Sequence, residues 1–297
     1  MQQTIRAFLG LCLLMTVSSL SAQGRQYFMV GLGTQFDLAG LGSTITRDGL
    51  DSRNSVRDSQ GNVTGGTQKV IYAENTLISL NRSTNGLVGV KTNGPMTGLN
   101  FNVGYEKEGI FGIESMFVRI NVNHTEKVAG GLTTATFAGV QWLQQEWSYQ
   151  ATSVPVNLGI KVYNADKTAA IYLGGGFNYA RGGWSVSGTI DGDLLRNLFP
   201  GLAGPGGVFL NDAPTPGVYK ENAKFSYAGM GMNWLVGAQT KVSEKGHIFF
   251  EAETIINAGY GVAGVKSQGG QSALAPFAAY QILIAGTTYR VGYKHEF

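Results

Sequence analysis

The sequence predicts an all-β chain: a transmembrane antiparallel up-and-down β-barrel of eight strands, with long outer loops and short periplasmic turns. Three observations carry this. Successive stretches alternate apolar and polar residues with a period of two, as a strand does when one face meets lipid and the other a polar lumen. The connections between them alternate long and short. Beyond an N-terminal export-like stretch there is no apolar run of about 18 residues, the length a membrane-spanning helix needs.

Residues 1–22 read as a secretory signal. Arg6 gives the basic start and Ala7–Val17 (AFLGLCLLMTV) is an apolar run too short to anchor a membrane protein. Small residues from Ser18 to Ala22 lead to an expected cut before Gln23, so residues 23–297 form the barrel domain. Cys12, the single cysteine, lies inside the apolar run. The exported chain then has no disulfide, no thiolate metal site and no cysteine nucleophile. Mean hydropathy is near zero, as expected where lipid-facing and lumen-facing residues cancel. Basic residues number 22 against 19 acidic without clustering, which excludes nucleic acid as a partner.

The first strand is expected at Tyr27–Leu38, with Phe28, Val30, Leu32, Thr34 and Phe36 on the lipid face. A Gly/Ser/Thr/Asn-rich segment follows to Pro95, with β-like pieces at Lys69–Tyr72 and Thr76–Leu80 that suggest a hairpin in the loop. The second strand is Thr97–Glu106, where Leu99, Phe101, Val103 and Tyr105 alternate with Gly98, Asn100, Asn102 and Gly104. Glu106–Gly109 reads as a charged turn and Ile110–Asn123 as the third strand. A second long connection, His124–Glu146, is partly β-like at Leu132–Leu143. The fourth strand is Trp147–Tyr163; Pro155 costs it a ladder bond and suggests a bulge or bend. After the turn Asn164–Lys167 come the fifth strand, Ala169–Trp184, and a long Gly/Pro-rich loop, Ser185–Asn222. The sixth strand is Lys224–Val242, the turn Ser243–Gly246, the seventh strand His247–Tyr260 and the fourth loop Gly261–Ala278. The last strand, Ala279–Phe297, has Tyr289, Val291, Tyr293 and Phe297 on one face and Arg290, Lys294 and Glu296 on the other.

Eight strands with this alternation of connections put both termini on the periplasmic side. Ten are possible if the β-like pieces of the first or second loop join the wall. A soluble barrel would turn the apolar face inward and would have no reason to keep the alternation. By parity Asn100, Asn102, Arg119, Lys161, Gln239, Lys241, Glu251, Glu253 and Arg290 line the lumen. Glu251 and Glu253, two apart on one strand, share a face. They can act as a cation-favouring carboxylate pair, as an acid/base pair, or as part of an interior salt-bridge network with Arg119, Lys161, Lys241 and Arg290, since a narrow bore forces charges to pair. The histidines His124, His247 and His295 are scattered, lack metal-ligand spacing and stand beside no recognisable nucleophile motif. No enzyme, metal or cofactor is expected. The glycines Gly174–Gly176 open no helical pattern and are no phosphate loop. Phe36, Phe101, Tyr105, Phe177, Tyr179, Trp234, Tyr289, Tyr293 and Phe297 suit aromatic girdles at the membrane interfaces.

Five segments resemble the OmpL-type leptospiral outer-membrane porin family: Ser43–Leu50 (STITRDGL), Ala73–Leu80 (AENTLISL), Lys245–Thr254 (KGHIFFEAET), Ser272–Tyr280 (SALAPFAAY) and Tyr289–Phe297 (YRVGYKHEF). The resemblance covers most of the chain after the signal and is looser in the second and third loops. It implies a surface-exposed porin passing small hydrophilic solutes or ions, with outer-membrane lipid around it. Members of the family are drawn with ten spans, whereas the connection lengths here favour eight. They are also described as binding host extracellular-matrix proteins and plasminogen, a role that would lie in the outer loops. The final strand, with Tyr289, Tyr293 and Phe297, resembles the signal that the barrel-assembly machinery reads.

Overall fold

A computed structural model describes residues 24–38, 56–57, 63–65, 74–92, 94–191, 194, 218–267 and 279–297. The expected signal at 1–22 and the β-like piece at 69–72 lie outside these residues. The wall is built from β1 (Gln26–Asp37), β5 (Thr97–Glu108), β6 (Met116–Val128), β8 (Val140–Tyr163), β9 (Ala169–Asp191), β10 (Val218–Lys241), β11 (Gly246–Ser267) and β12 (Ala279–Glu296). Each pairs antiparallel with its neighbours. Pairing of β1 with both β5 and β12, and of β8 with β9, closes a ring of these eight strands. Closure leaves no sheet edge in lipid, where an unpaired backbone group is costly. Among the described residues no helix is long and apolar enough to cross a membrane.

The remaining elements are β2 (Val56–Arg57) and β3 (Val63–Gly65), which pair with each other, helix α1 (Glu74–Ser83), β4 (Val88–Lys91) and β7 (Thr133–Phe137). The two extra strands of the main sheet are not extra staves. β7 continues the line of β6 along the same side of β8, and β4 continues the line of β5 along β7. The wall therefore rises beyond the membrane on one side. At about 3.3 Å per residue a 24-residue strand such as β8 is roughly 80 Å long. A membrane crossing takes about 9–11 residues.

Side-chain distribution inverts that of a soluble protein. Leu32, Leu99, Phe177, Met230 and Phe250 are exposed on the outer face, while Arg119, Lys161, Glu251 and Lys294 are buried inside. Space for inward rings comes from glycine. A Cβ on Gly159 would lie 2.5 Å from the Phe117 ring, and one on Gly292 would lie 2.4 Å from Phe249.

Four readings of the sequence are corrected. Thr76–Leu80 is helical, within α1; Leu77 and Leu80, three apart, share one side of the helix, whereas a strand would put them on opposite faces. Glu106–Gly109 is not a turn, because β5 runs on to Glu108 and chain reversal occurs over the following residues, with a 3-10 turn at Ile110–Gly112. The third strand accordingly begins at Met116. The second long connection is strand: β7 and β8 are joined by a tight hairpin at Ala138–Gly139, both at positive φ. Pro155 causes no bulge. Ile120 opposite Val156 and Asn123 opposite Ser153 keep one register, and only the rows between them lack ladder pairing.

The short turns share the end that holds Gln26 and Glu296. Between β8 and β9, Asn164 Oδ1 accepts the N–H groups of Thr168 at 2.8 Å and Ala169 at 3.0 Å, so one side chain closes the turn.

Candidate functional site

The interior of the ring is stratified. Its lower layer is ionic. Cross-strand register puts Glu106 opposite Arg119 on β5 and β6, and Glu251 opposite Arg290 on β11 and β12. Lys161 comes from β8 and Lys294 from β12. The Glu106 carboxylate accepts from Arg119 Nε at 2.7 Å, Lys161 Nζ at 2.5 Å and Lys294 Nζ at 3.1 Å. Arg119 reaches across the bore to Glu251 at 2.5 Å, and Arg290 bridges Glu251 at 2.7 Å and Glu253 at 2.8 Å. Tyr172 Oη donates to Glu251 at 2.9 Å. Lys161 also pairs with Glu108, which accepts from Tyr163 Oη at 2.7 Å and faces Arg25 at the rim. The side chains of Glu106, Arg119, Lys161, Glu251, Arg290 and Lys294 are fully buried. Aromatic faces line the same layer, with Arg119 5.0 Å and Lys294 4.7 Å from the Tyr172 ring centre. Charges can be held there because each meets an opposite charge; one left alone would cost several kcal/mol, roughly 3–5.

Above lies a layer of amides. Asn100 Nδ2 donates to Thr125 at 2.8 Å, Asn102 to Asn123 at 2.6 Å, Asn233 to Asn157 at 2.6 Å and to Glu253 at 2.9 Å. Asn121, opposite the N–H-less Pro155, has neither amide atom bonded among the described residues. Buried amides of this kind are the groups that hold internal water. Higher still, Lys127 pairs with Asp37 at 2.5 Å and sits 4.5 Å from the Tyr149 ring centre. Tyr149, Trp184 and Tyr227 cluster there, with centroids 5.1–6.4 Å apart.

Of the residues singled out from sequence, Asn100, Asn102, Arg119, Lys161, Gln239, Glu251, Glu253 and Arg290 all point into this interior and are buried. Gln239 Oε1 accepts from both Lys161 at 3.0 Å and Lys294 at 2.9 Å. Lys241 does not join them. Its parity is inward, but β10 ends at that residue, so its side chain is exposed at the periplasmic rim. Tyr289, Tyr293 and Phe297 lie exposed on the outer face. His124 is on the outer surface beside Glu126, whereas His247 is buried inside the lower rim.

Sequence reasoning missed Glu106 and Glu108 as interior groups, and it left Lys294, placed beside Arg290 on the charged face of the last strand, out of the network. The signal was present. Asn100, Asn102 and Gly104 set an even-numbered inward face, and Glu106 and Glu108 continue it. Reading a charged Glu-Lys-Glu-Gly string as a turn overrode that parity.

A family model described as Leptospira porin protein OmpL1 matches residues 25–297. No curated protein matches the chain. Among solved structures, the outer membrane protein OprG from Pseudomonas aeruginosa is 8% identical, with 93% of this chain and 97% of that chain covered and a TM-score of 0.44. A major outer membrane protein from Thermus thermophilus is 10% identical, with 92% and 99% covered and a TM-score of 0.41.

Proposed function

The chain belongs to the Leptospira OmpL1 porin family, and from that premise we propose that small hydrophilic solutes and ions cross by way of the charged layer around Glu106 and Glu251. It is a porin of the outer membrane. The observation that carries the route is the inversion of the barrel: paired charges and amides inside, an apolar belt outside.

Side chains fill the bore, so passage requires the ion pairs to exchange partners. The network suits this. Arg119 touches both Glu106 and Glu251, Arg290 touches both Glu251 and Glu253, and Lys161 and Lys294 share Glu106 and Gln239. A cation can then let go of one acceptor while holding another, and no charge is stranded. Asn100, Asn102, Gln239 and the charged residues would set conductance and ion preference.

Single-channel conductance of refolded residues 23–297 in a planar bilayer tests the route. Discrete steps are expected, and Glu251→Gln/Glu253→Gln should reduce cation preference, because Arg290 loses both its carboxylates and Arg119 keeps only Glu106. Unchanged preference would take these carboxylates out of the path. No steps from folded, inserted protein with no outer segment seated over the bore would defeat the route itself.

The dense packing of the interior favours a second reading, a barrel that mainly anchors adhesive outer segments binding host extracellular-matrix proteins or plasminogen. The silent-channel outcome is the one that selects it. Residues 1–22 would be removed on export, and the outward Tyr289, Tyr293 and Phe297 would be read by the barrel-assembly machinery. The transport itself involves no bond chemistry and no cofactor.

A further inference from the structure

The geometry points to helix α1 as a plug seated over the outward mouth of the lumen, hinged at Thr84–Leu87, which must swing away before solute passes. This rests on the porin reading. On β8 the inward residues are odd-numbered, Lys161, Asn157, Ser153 and Tyr149 among them, and the series continues to Gln145 and Leu143 above the membrane. On β6 and β7 the inward residues include Lys127, Thr133 and Ala135, and on β4 Val88. A register shift between Ala135 and Thr136 places Ala135 opposite Leu143 and Thr136 opposite Gln141. The extra residue, Trp142, is thereby buried beside Leu143. Leu77 of α1 is fully buried in one apolar cluster with Val88, Ala135, Trp142 and Leu143, with Leu80 and Leu194 partly buried against it, and the helix lies against β4. The helix therefore covers the inner face of the wall, the face that lower down lines the lumen. A ten-residue helix is about 15 Å long and, with side chains, about 10 Å across. The interior of an eight-stranded barrel is only wide enough for side chains to fill, so a helix of this size closes its mouth.

The C-terminal end of α1 is pinned. Gly86 N–H donates to Asn81 O at 2.8 Å, Asn81 Nδ2 donates to Val88 O at 2.7 Å, and Val88 N–H donates to Thr84 Oγ1 at 3.1 Å. Asn85 and Gly86 take positive φ there. The opposite face of the helix, at Ser79 and Arg82, is exposed. This is a hinged flap held down by an apolar patch.

The test uses Leu77→Cys/Ala135→Cys in residues 23–297, which contain no native cysteine. Oxidation should form the disulfide, abolish discrete conductance steps and let them return on reduction. Because a disulfide needs specific Cβ geometry, failure of both this pair and Leu77→Cys/Leu143→Cys to oxidise would overturn the seat, and equal conductance oxidised and reduced would overturn the plug while leaving the porin reading intact. Leu77→Asp should unseat the helix and raise the open fraction. Its folded state is checked by slower gel migration on heating, and an unchanged open fraction in folded protein would also overturn the plug. If wild type, Leu77→Asp and the reduced double variant are all silent, the porin reading itself fails.

Discussion

The two halves of the interior close the bore by different physics. The lower half is held by Glu106, Glu251 and Glu253 against Arg119, Lys161, Arg290 and Lys294. The upper half is held by Tyr149, Trp184 and Tyr227 and then by Leu77, Trp142 and Leu143. Ion pairs are directional and interchangeable, so the lower half can change partners with little net loss of contact. Apolar contacts are non-directional, and lifting one exposes surface at about 25 cal/mol per Å². One barrel thus holds an ionic, partner-sharing layer below and an apolar cluster above.

The largest effect is expected where that contrast is broken by charge. Glu106→Gln leaves Arg119, Lys161 and Lys294 without their shared carboxylate. Urea titration of the folded barrel should show a loss of about 3–5 kcal/mol. A loss below about 1 kcal/mol would mean that water already shields the layer. In the upper half, Leu143→Ala should cost roughly 2–5 kcal/mol of local stability. It should appear as faster proteolysis of the outer extension, with the barrel transition unmoved. A lower barrel transition would show that the halves are coupled.

Gly159→Ala probes the lower wall without touching charge. Its Cβ would meet Leu173 O at 2.4 Å as well as Phe117, so a cost of about 1–3 kcal/mol is expected from overpacking. The smallest effect lies outside the membrane. Lys167 hydrogen-bonds Glu114 at 2.5 Å in the periplasmic turns and holds its carboxyl below the usual range. A depressed carboxylate stabilises above its unfolded pKa and loses that contribution as pH falls through the folded one. The pair is exposed, so Lys167→Ala should return the Glu114 titration toward normal, seen by NMR, without a measurable change in unfolding.

Much of the wall was legible because a strand's period of two is local. Leu99-Asn100-Phe101-Asn102 shows both faces within four residues, and β5 puts the asparagines inside. The inward placement of Arg119, Lys161, Glu251, Glu253 and Arg290 follows from the same counting. Where strands end is less legible. Glu106 and Glu108 belong to a strand or to a turn according to whether cations from β6, β8 and β12 stand opposite, and Lys241 is exposed because the wall stops at it. The α1 segment misled for a related reason: Ile78 and Leu80 suit a strand's period and Leu77 and Leu80 a helix's, so the short run is ambiguous until a surface exists for it to dock on.

The sequence by itself determined the barrel, its apolar belt and the identity of most inward side chains, since each of these follows from alternation along a single strand. Only the tertiary structure decided that Glu106 is the hub of the network, that β4 and β7 lengthen the wall without widening it, and that Leu77 of α1 joins Val88, Ala135, Trp142 and Leu143 in one cluster. Each of those depends on which residues of distant strands come to lie opposite one another, and that register is set by ring closure.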